Sequence, residues 1–164
     1  MATQYDVYTY DIQYYIEFMG EGGEWEAPVR VTEDKSFDPD RQRSEYSAQY
    51  LCERQEKKRT AATTDTYSFS IDAVGPGGLQ QRLYAIEDST NVRARLVRTC
   101  AFDFEAGKPA AGPALPAKRC EAFVNMDPMS GSFGELASFS GSVSQTGEWE
   151  KGTFDPATGG FSVA

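Results

Sequence analysis

Apolar and polar residues alternate from the first strand-like stretch onward. Tyr8, Tyr10, Ile12, Tyr14, Ile16 and Phe18 fall on one face, and Thr9, Asp11, Gln13 and Glu17 on the other, with Tyr15 out of step. A period of two marks a half-buried strand. Gly20, Gly22 and Gly23 predict a turn and Trp25–Thr32 a returning strand, which together make a hairpin. Glu33–Ser47, EDKSFDPDRQRSEYS, is polar and charged with Pro39 in its middle, so it is expected to be a functional loop or a mobile arm. Ser44–Gln55 offers a further strand, with EKKRT (Glu56–Thr60) as its basic, solvated end. In Thr66–Val74, Tyr67, Phe69 and Ile71 alternate with Ser68, Ser70 and Asp72, which predicts another strand.

After Gly75–Gly78 the period changes. Leu79, Leu83 and Ile86 follow the spacing of one short amphipathic helix, ending near Asp88. Glu87 and Asp88 oppose its dipole, so packing must hold it. Asn91–Phe104 returns to strand character, with Val92, Ala94 and Leu96 opposing Arg93 and Arg95. Ala106–Pro116 is rich in alanine and proline and is expected to be an exposed connection, because proline has no N–H for a ladder. Arg119–Asp127 and Leu136–Ser144 read as strands, and GEWEKGTFDPATGG (Gly147–Gly160) as turns. The prediction is a single mainly β domain over residues 1–164, a β-sandwich or partial barrel with one short flanking α-helix. A long charged loop at 33–47 and a connection at 106–116 interrupt it.

Composition sharpens this picture. In 164 residues, 40% hydrophobic and 13% aromatic, a respectable core is expected, and the aromatic, Ser and Thr content favours strands. No apolar run approaches a membrane span, and Met1 is not followed by a basic and then apolar leader. The expectation is a soluble protein inside the cell. Cys52, Cys100 and Cys120 form no C-x-x-C pair and read as small buried hydrophobes. With no histidine, the usual general base and the usual transition-metal ligand are missing. The net charge of −9 makes the chain a poor counterion-releasing binder of nucleic acid. It fits solubility, or a surface to which polyanions must not stick.

Candidate chemistry is sparse. QYYIEF (Gln13–Phe18) resembles the nucleophile strand of small jelly-roll xylanases. A retaining glycosidase, however, needs two carboxyls about 5 Å apart. Gln13 cannot ionise, and Glu17 has no recognisable second glutamate. Asp34–Glu45 has the length of a calcium loop, but Pro39 stands where its glycine is needed. GPGG at Gly75 lacks the Lys-Ser/Thr of a phosphate loop. No catalytic, cofactor-binding or metal-binding set is assigned. Lys57, Lys58 and Arg59, with Arg93, Arg95 and Arg98, are either a solvated face or a patch that meets another copy's acidic loop.

One resemblance covers nearly the whole chain. It is carried by Trp25–Thr32, the Glu33–Ser47 loop, EKKRTAATTDTYSFSID (Glu56–Asp72), the helix Leu79–Glu87 and GEWEKGTFD (Gly147–Asp155). In that order these segments resemble the major tail tube proteins of long-tailed, non-contractile bacteriophages. The resemblance implies a non-enzymatic, self-assembling virion protein without cofactor, whose hexameric rings stack into a hollow tail tube passed by double-stranded DNA. It implies assembly in the bacterial host cytoplasm, with tape-measure, tail-terminator and tail-tip proteins as partners. Phe37, Asp38, Asp40, Arg41 and Arg43 would contact a neighbouring subunit or ring, and Lys57, Lys58 and Arg59 would add basic contacts. Asp11, Glu17, Glu121 and Asp127 are candidates for an acidic lumen that repels phosphates. A head decoration or tail-completion protein is the alternative, followed by a small jelly-roll glycosidase or carbohydrate-binding protein.

Overall fold

The structure, a computed structural model, describes residues 4–32, 34–48, 57–75 and 77–164. The elements in chain order are β1 (Ile12–Phe18), β2 (Val29–Arg30), β3 (Asp34–Ala48), β4 (Lys57–Asp72), α1 (Gly78–Ala85), β5 (Val92–Cys100), β6 (Phe102–Asp103), β7 (Lys108–Pro109), β8 (Leu115–Met126), β9 (Ser138–Gln145), β10 (Glu150–Asp155) and β11 (Gly160–Val163). The fold is mainly β with one short helix, as the pattern predicts. Its main sheet runs β2-β1-β5-β8-β9-β4-β3, and every pairing is antiparallel. β10 also pairs with β8 and carries β11, while β6 and β7 form a separate small hairpin.

The sheet curls until its two ends meet. Tyr14 on β1 packs against Phe37 on β3, with ring centroids 4.5 Å apart, and edge-on against Tyr67 on β4. Inside the curl lie Ile16, Phe18, Leu96, Ala122, Val124, Val143, Phe69 and Ile71, capped by Leu79, Leu83 and Ile86 of the helical segment. The predicted helical spacing is therefore the one that faces the core. Each of the Val, Leu, Ile and Phe side chains among them, fully buried, contributes about 1.5–3 kcal/mol. Gly141 on β9 keeps this packing close: a Cβ there would press on the backbone of Asn125 and Met126 and on the Phe69 ring. A second, smaller cluster lies on the other face, where β10 and β11 fold Phe154 and Phe161 onto Tyr15, Val97 and Ala117.

β8 is where the sheet forks. Its second half, Ala122–Met126, pairs with β9, which continues to β4 and β3. Its first half, Leu115–Arg119, pairs instead with β10. Beyond Thr66 β4 has left β9, and among the described residues it pairs with β3 alone.

Several expectations need correction. The 33–47 segment is not a loop: Asp34–Ala48 is one long edge strand. Pro39 is tolerated because an edge strand has one row of positions with no partner strand. Beyond Phe37 both faces of this strand meet solvent, so no hydrophobic alternation signals it. The predicted Ser44–Gln55 strand matches only as far as Ala48, and its remainder lies outside the described residues. Thr9–Asp11 is a 3-10 turn before β1, which leaves Tyr8 and Tyr10 stacked on each other and exposed. The return strand shrinks to Val29–Arg30, with a bridge between Met19 and Trp25. Leu115 and Pro116 belong to β8, and Lys108–Pro109 pairs with β6, so the 106–116 connection is shorter than expected. The C-terminal stretch is the β10–β11 hairpin, with Phe154 fully buried.

Candidate subunit-contact surfaces

The long hairpin divides at one rung. Below it, Ser36–Asp40 and Thr66–Ser70 lie in the sheet with β9 alongside. Above it, Gln42–Ala48 and Lys57–Thr64 form a two-stranded arm with a register shift between Ser44 and Glu45. At ~3.4 Å per residue the arm reaches ~20 Å from the fork. A lone two-stranded ribbon is only marginally stable in water, because each strand keeps one unpaired edge and no core.

The dividing rung is Arg41 opposite Asp65. Asp65 is 4% exposed and accepts from Arg41 Nε at 2.6 Å and Nη2 at 2.9 Å. Trp149 Nε1 donates to its second oxygen at 3.2 Å, and the Asp65 N–H donates to Gln145 Oε1 at 3.1 Å. Gln145 in turn donates to the Gly147 carbonyl. These groups tie the root of the arm to the β9–β10 crossing. The Arg41 hydrogen bonds, helped by Trp149, hold the Asp65 carboxyl below the usual aspartate range against the opposing cost of burial.

Across β1, β5 and β8 the outer face carries a charged ladder. Glu17, Arg95 and Glu121 stand in register. Arg93 pairs with Glu121 at 3.3 Å, Arg119 with Glu150 at 3.0 Å, and Arg95 with Glu17 at 3.8 Å. Arg95 also lies 4.0 Å from the Trp25 ring centroid, and Arg119 lies 4.3 Å from that of Phe161. Glu17 is 6% exposed, and burial raises its pKa although Arg119 and Arg95 oppose the shift. A charged cleft of about 350 Å³ opens beside this ladder at the fork, lined by Arg95, Arg119, Glu121 and the Gly147–Glu150 crossing.

The residues expected to contact neighbours divide accordingly. Phe37 is a core residue at 8% exposure, and Arg41 is engaged by Asp65 within the subunit. Asp38 and Asp40 are exposed on β3, while Arg43, Lys58 and Arg59 are exposed on the arm. The Lys57 backbone belongs to the arm opposite Ala48, and its side chain lies outside the described residues.

The four candidate lumen carboxylates do not share a surface. Glu17 is buried rather than on a wet face, beside Arg95 of β5. Glu121 is paired with Arg93. Asp11 accepts from the Tyr8 N–H at 2.8 Å at the start of β1, and Asp127 is exposed just beyond the opposite end of β8. The Arg41–Asp65–Trp149 lock was missed in the sequence, where nothing links an Asp among threonines to a Trp far along the chain.

Of the cysteines, Cys120 is buried, and burial pushes its thiol up to about 12, so it behaves as a small hydrophobe. Cys100 is half-buried and Cys52 lies outside the described residues. Among the described residues no group of three or more His, Cys, Asp or Glu is placed to hold a metal, and no helix is long and apolar enough to cross a membrane.

No protein-family model and no curated protein matches the sequence. Solved structures do match. A chain from the tail of an empty GTA particle, refined helically with C6 symmetry, superposes with a TM-score of 0.57 at 11% identity, over 88% of this chain and 97% of that one. A chain from the six-fold symmetrised baseplate of the anti-feeding prophage (AFP) gives 0.53 at 8% identity, over 91% and 97%. The fold is mainly β and tail-tube-like. At these identities the likeness establishes the architecture and leaves the work of individual side chains to be argued from this chain.

Proposed function

We propose that the protein is a structural subunit of a phage-type tail, whose copies close into hexameric rings and stack into a hollow tube passed by double-stranded DNA. The single observation that carries this reading is the unsupported arm, set on a fold shared with chains of two six-fold assemblies. Its two open edges are a hazard for a solitary molecule, and a neighbouring copy removes that hazard. A head-to-tail contact closes a ring laterally, and a second such contact repeats rings along an axis. In this reading Arg43, Lys58 and Arg59 supply the arm's charged contacts, while Phe37 and Arg41 fix its root. The protein acts in the virion tail after assembly in the host cytoplasm, beside tape-measure, terminator and tip proteins, and it catalyses no reaction.

A second reading is favoured by the baseplate likeness: a subunit that forms a single ring at one end of a tail. Negative-stain microscopy of the purified chain over a concentration series separates the two. Filaments with a central channel are expected. Discrete rings would support the second reading, and monomers at every concentration would defeat both.

A further inference from the structure

The outward positions of β3, β4 and β9 are almost entirely hydroxyls and aspartates. In register they read Ser36, Ser70 and Ser140, then Asp38, Ser68 and Ser142, then Asp40, Thr66 and Ser144, with Asp72 opposite Ser138 below. Every one is partly or fully exposed, while the alternate residues Phe37, Phe69, Ile71, Phe139 and Val143 are buried. The one basic group here, Lys35, is tied down by Asp72 at 2.7 Å and lies 3.4 Å from Ser138 Oγ.

Sheet stability does not account for this composition. Strands gain from β-branched and aromatic side chains that pack on their neighbours, and serine supplies neither. A solvated sheet position can carry a long charged side chain, as Arg93 and Glu121 show on the β5–β8 half of this same sheet. The β3–β4–β9 half is short-chained, wettable and anionic. Phosphates would find no guanidinium to hold them and no counterions to release by binding.

We propose that the hydroxyl–aspartate face of β3, β4 and β9 is the wall turned to the bore, which duplex nucleic acid passes without being held. This rests on the tube reading above, and it replaces Asp11, Glu17, Glu121 and Asp127 as the lining with Asp38, Asp40 and Asp72 among serines.

Ser140→Cys, in a full-length chain with Cys52 and Cys100 changed to serine, provides the test. Filaments are treated with biotin-maleimide, exposed to avidin-gold and viewed by electron microscopy, and the same chain is treated as dispersed subunits. Avidin captures the dispersed chain, and its decoration is expected to be lost along the filament wall, because a globular reporter does not fit the bore. Filaments decorated along their outer wall overturn the face assignment and leave the tube intact. Absence of filaments in the wild-type chain overturns the tube and this inference with it. Should Ser140→Cys misfold, Ser142→Cys on the same strand face gives the same two outcomes.

Discussion

The two halves of the β3–β4 hairpin share the same two strands and their antiparallel pairing, yet they live differently. The lower half has β9 beside it and the aromatic core beneath it, with Tyr67, Phe69 and Ile71 each no more than 3% exposed. The upper half has neither, and of the arm residues whose side chains are described, Gln42–Ser47, Lys58–Thr60 and Ala62–Thr64 are all exposed. A strand is held by what covers its faces and edges, and among the described residues nothing of this chain covers the arm. Between the halves, the Arg41–Asp65 rung anchors the ribbon so that it leaves the fork as one piece.

The comparison breaks most visibly from below. Phe69→Ala removes a buried ring from the root and is expected to cost about 3–5 kcal/mol, read as a lowered urea midpoint. An equally drastic truncation on the arm, Tyr46→Ala, is expected to leave that midpoint unchanged. Equal losses would mean that the arm is part of the folded body.

The rung comes next. Asp65→Ala is expected to cost about 1–2 kcal/mol, since Arg41 is solvated while the Trp149 N–H loses its acceptor. The Asp65 pKa is depressed in the fold, so its stabilisation is full above the unfolded aspartate value of about 3.9 and disappears as pH falls through the lower folded value. The variant should lose that acid limb in pH-dependent urea titrations. A limb of unchanged height would show that Asp65 is not held ionised.

Glu17 sharpens the contrast with opposite sign. Its raised pKa means stability that is full below about 4.3, the unfolded glutamate value, and is lost as pH rises through the higher folded value. Glu17→Gln is expected to flatten that decline and leave neutral-pH stability equal or slightly higher. Marked destabilisation would make the Arg95 contact stronger than its 3.8 Å separation suggests. The smallest effect on folding belongs to Lys58→Glu with Arg59→Glu, expected within about 0.5 kcal/mol of the parent in the same urea titrations. The same pair should abolish filaments in the microscope, and filaments of parental length would remove the arm's charges from the contact.

How much was legible in the sequence follows from the same physics. The Tyr67–Phe69–Ile71 strand, the Leu79–Leu83–Ile86 helix face and the Ala94–Leu96 strand were readable, because one face of each is buried in the subunit's own core. Glu33–Ser47 reads as a functional loop or a mobile arm, and only Ser44–Gln55 beyond it as a strand, because a ribbon wet on both faces carries no period. β10 and β11 were read as turns because two phenylalanines, Phe154 and Phe161, supply nearly all their burial. Glu17 reads as a wet-face residue because alternation cannot reveal what packs over the far side of a strand. The sites were the least legible part: a rung such as Arg41–Asp65–Trp149 exists only after folding has joined three segments.

The central claim is that the arm's missing partner is another copy of the chain, and residue-resolved amide hydrogen exchange over a concentration series tests it most directly. The account predicts that amides of Gln42–Ser47 and Lys58–Thr64 exchange quickly in the dilute subunit and become protected as assembly proceeds, while Tyr67–Ile71 stay protected throughout. Arm amides that are as protected in the dilute monomer as those of the root, or that stay unprotected in an assembled particle, would contradict it.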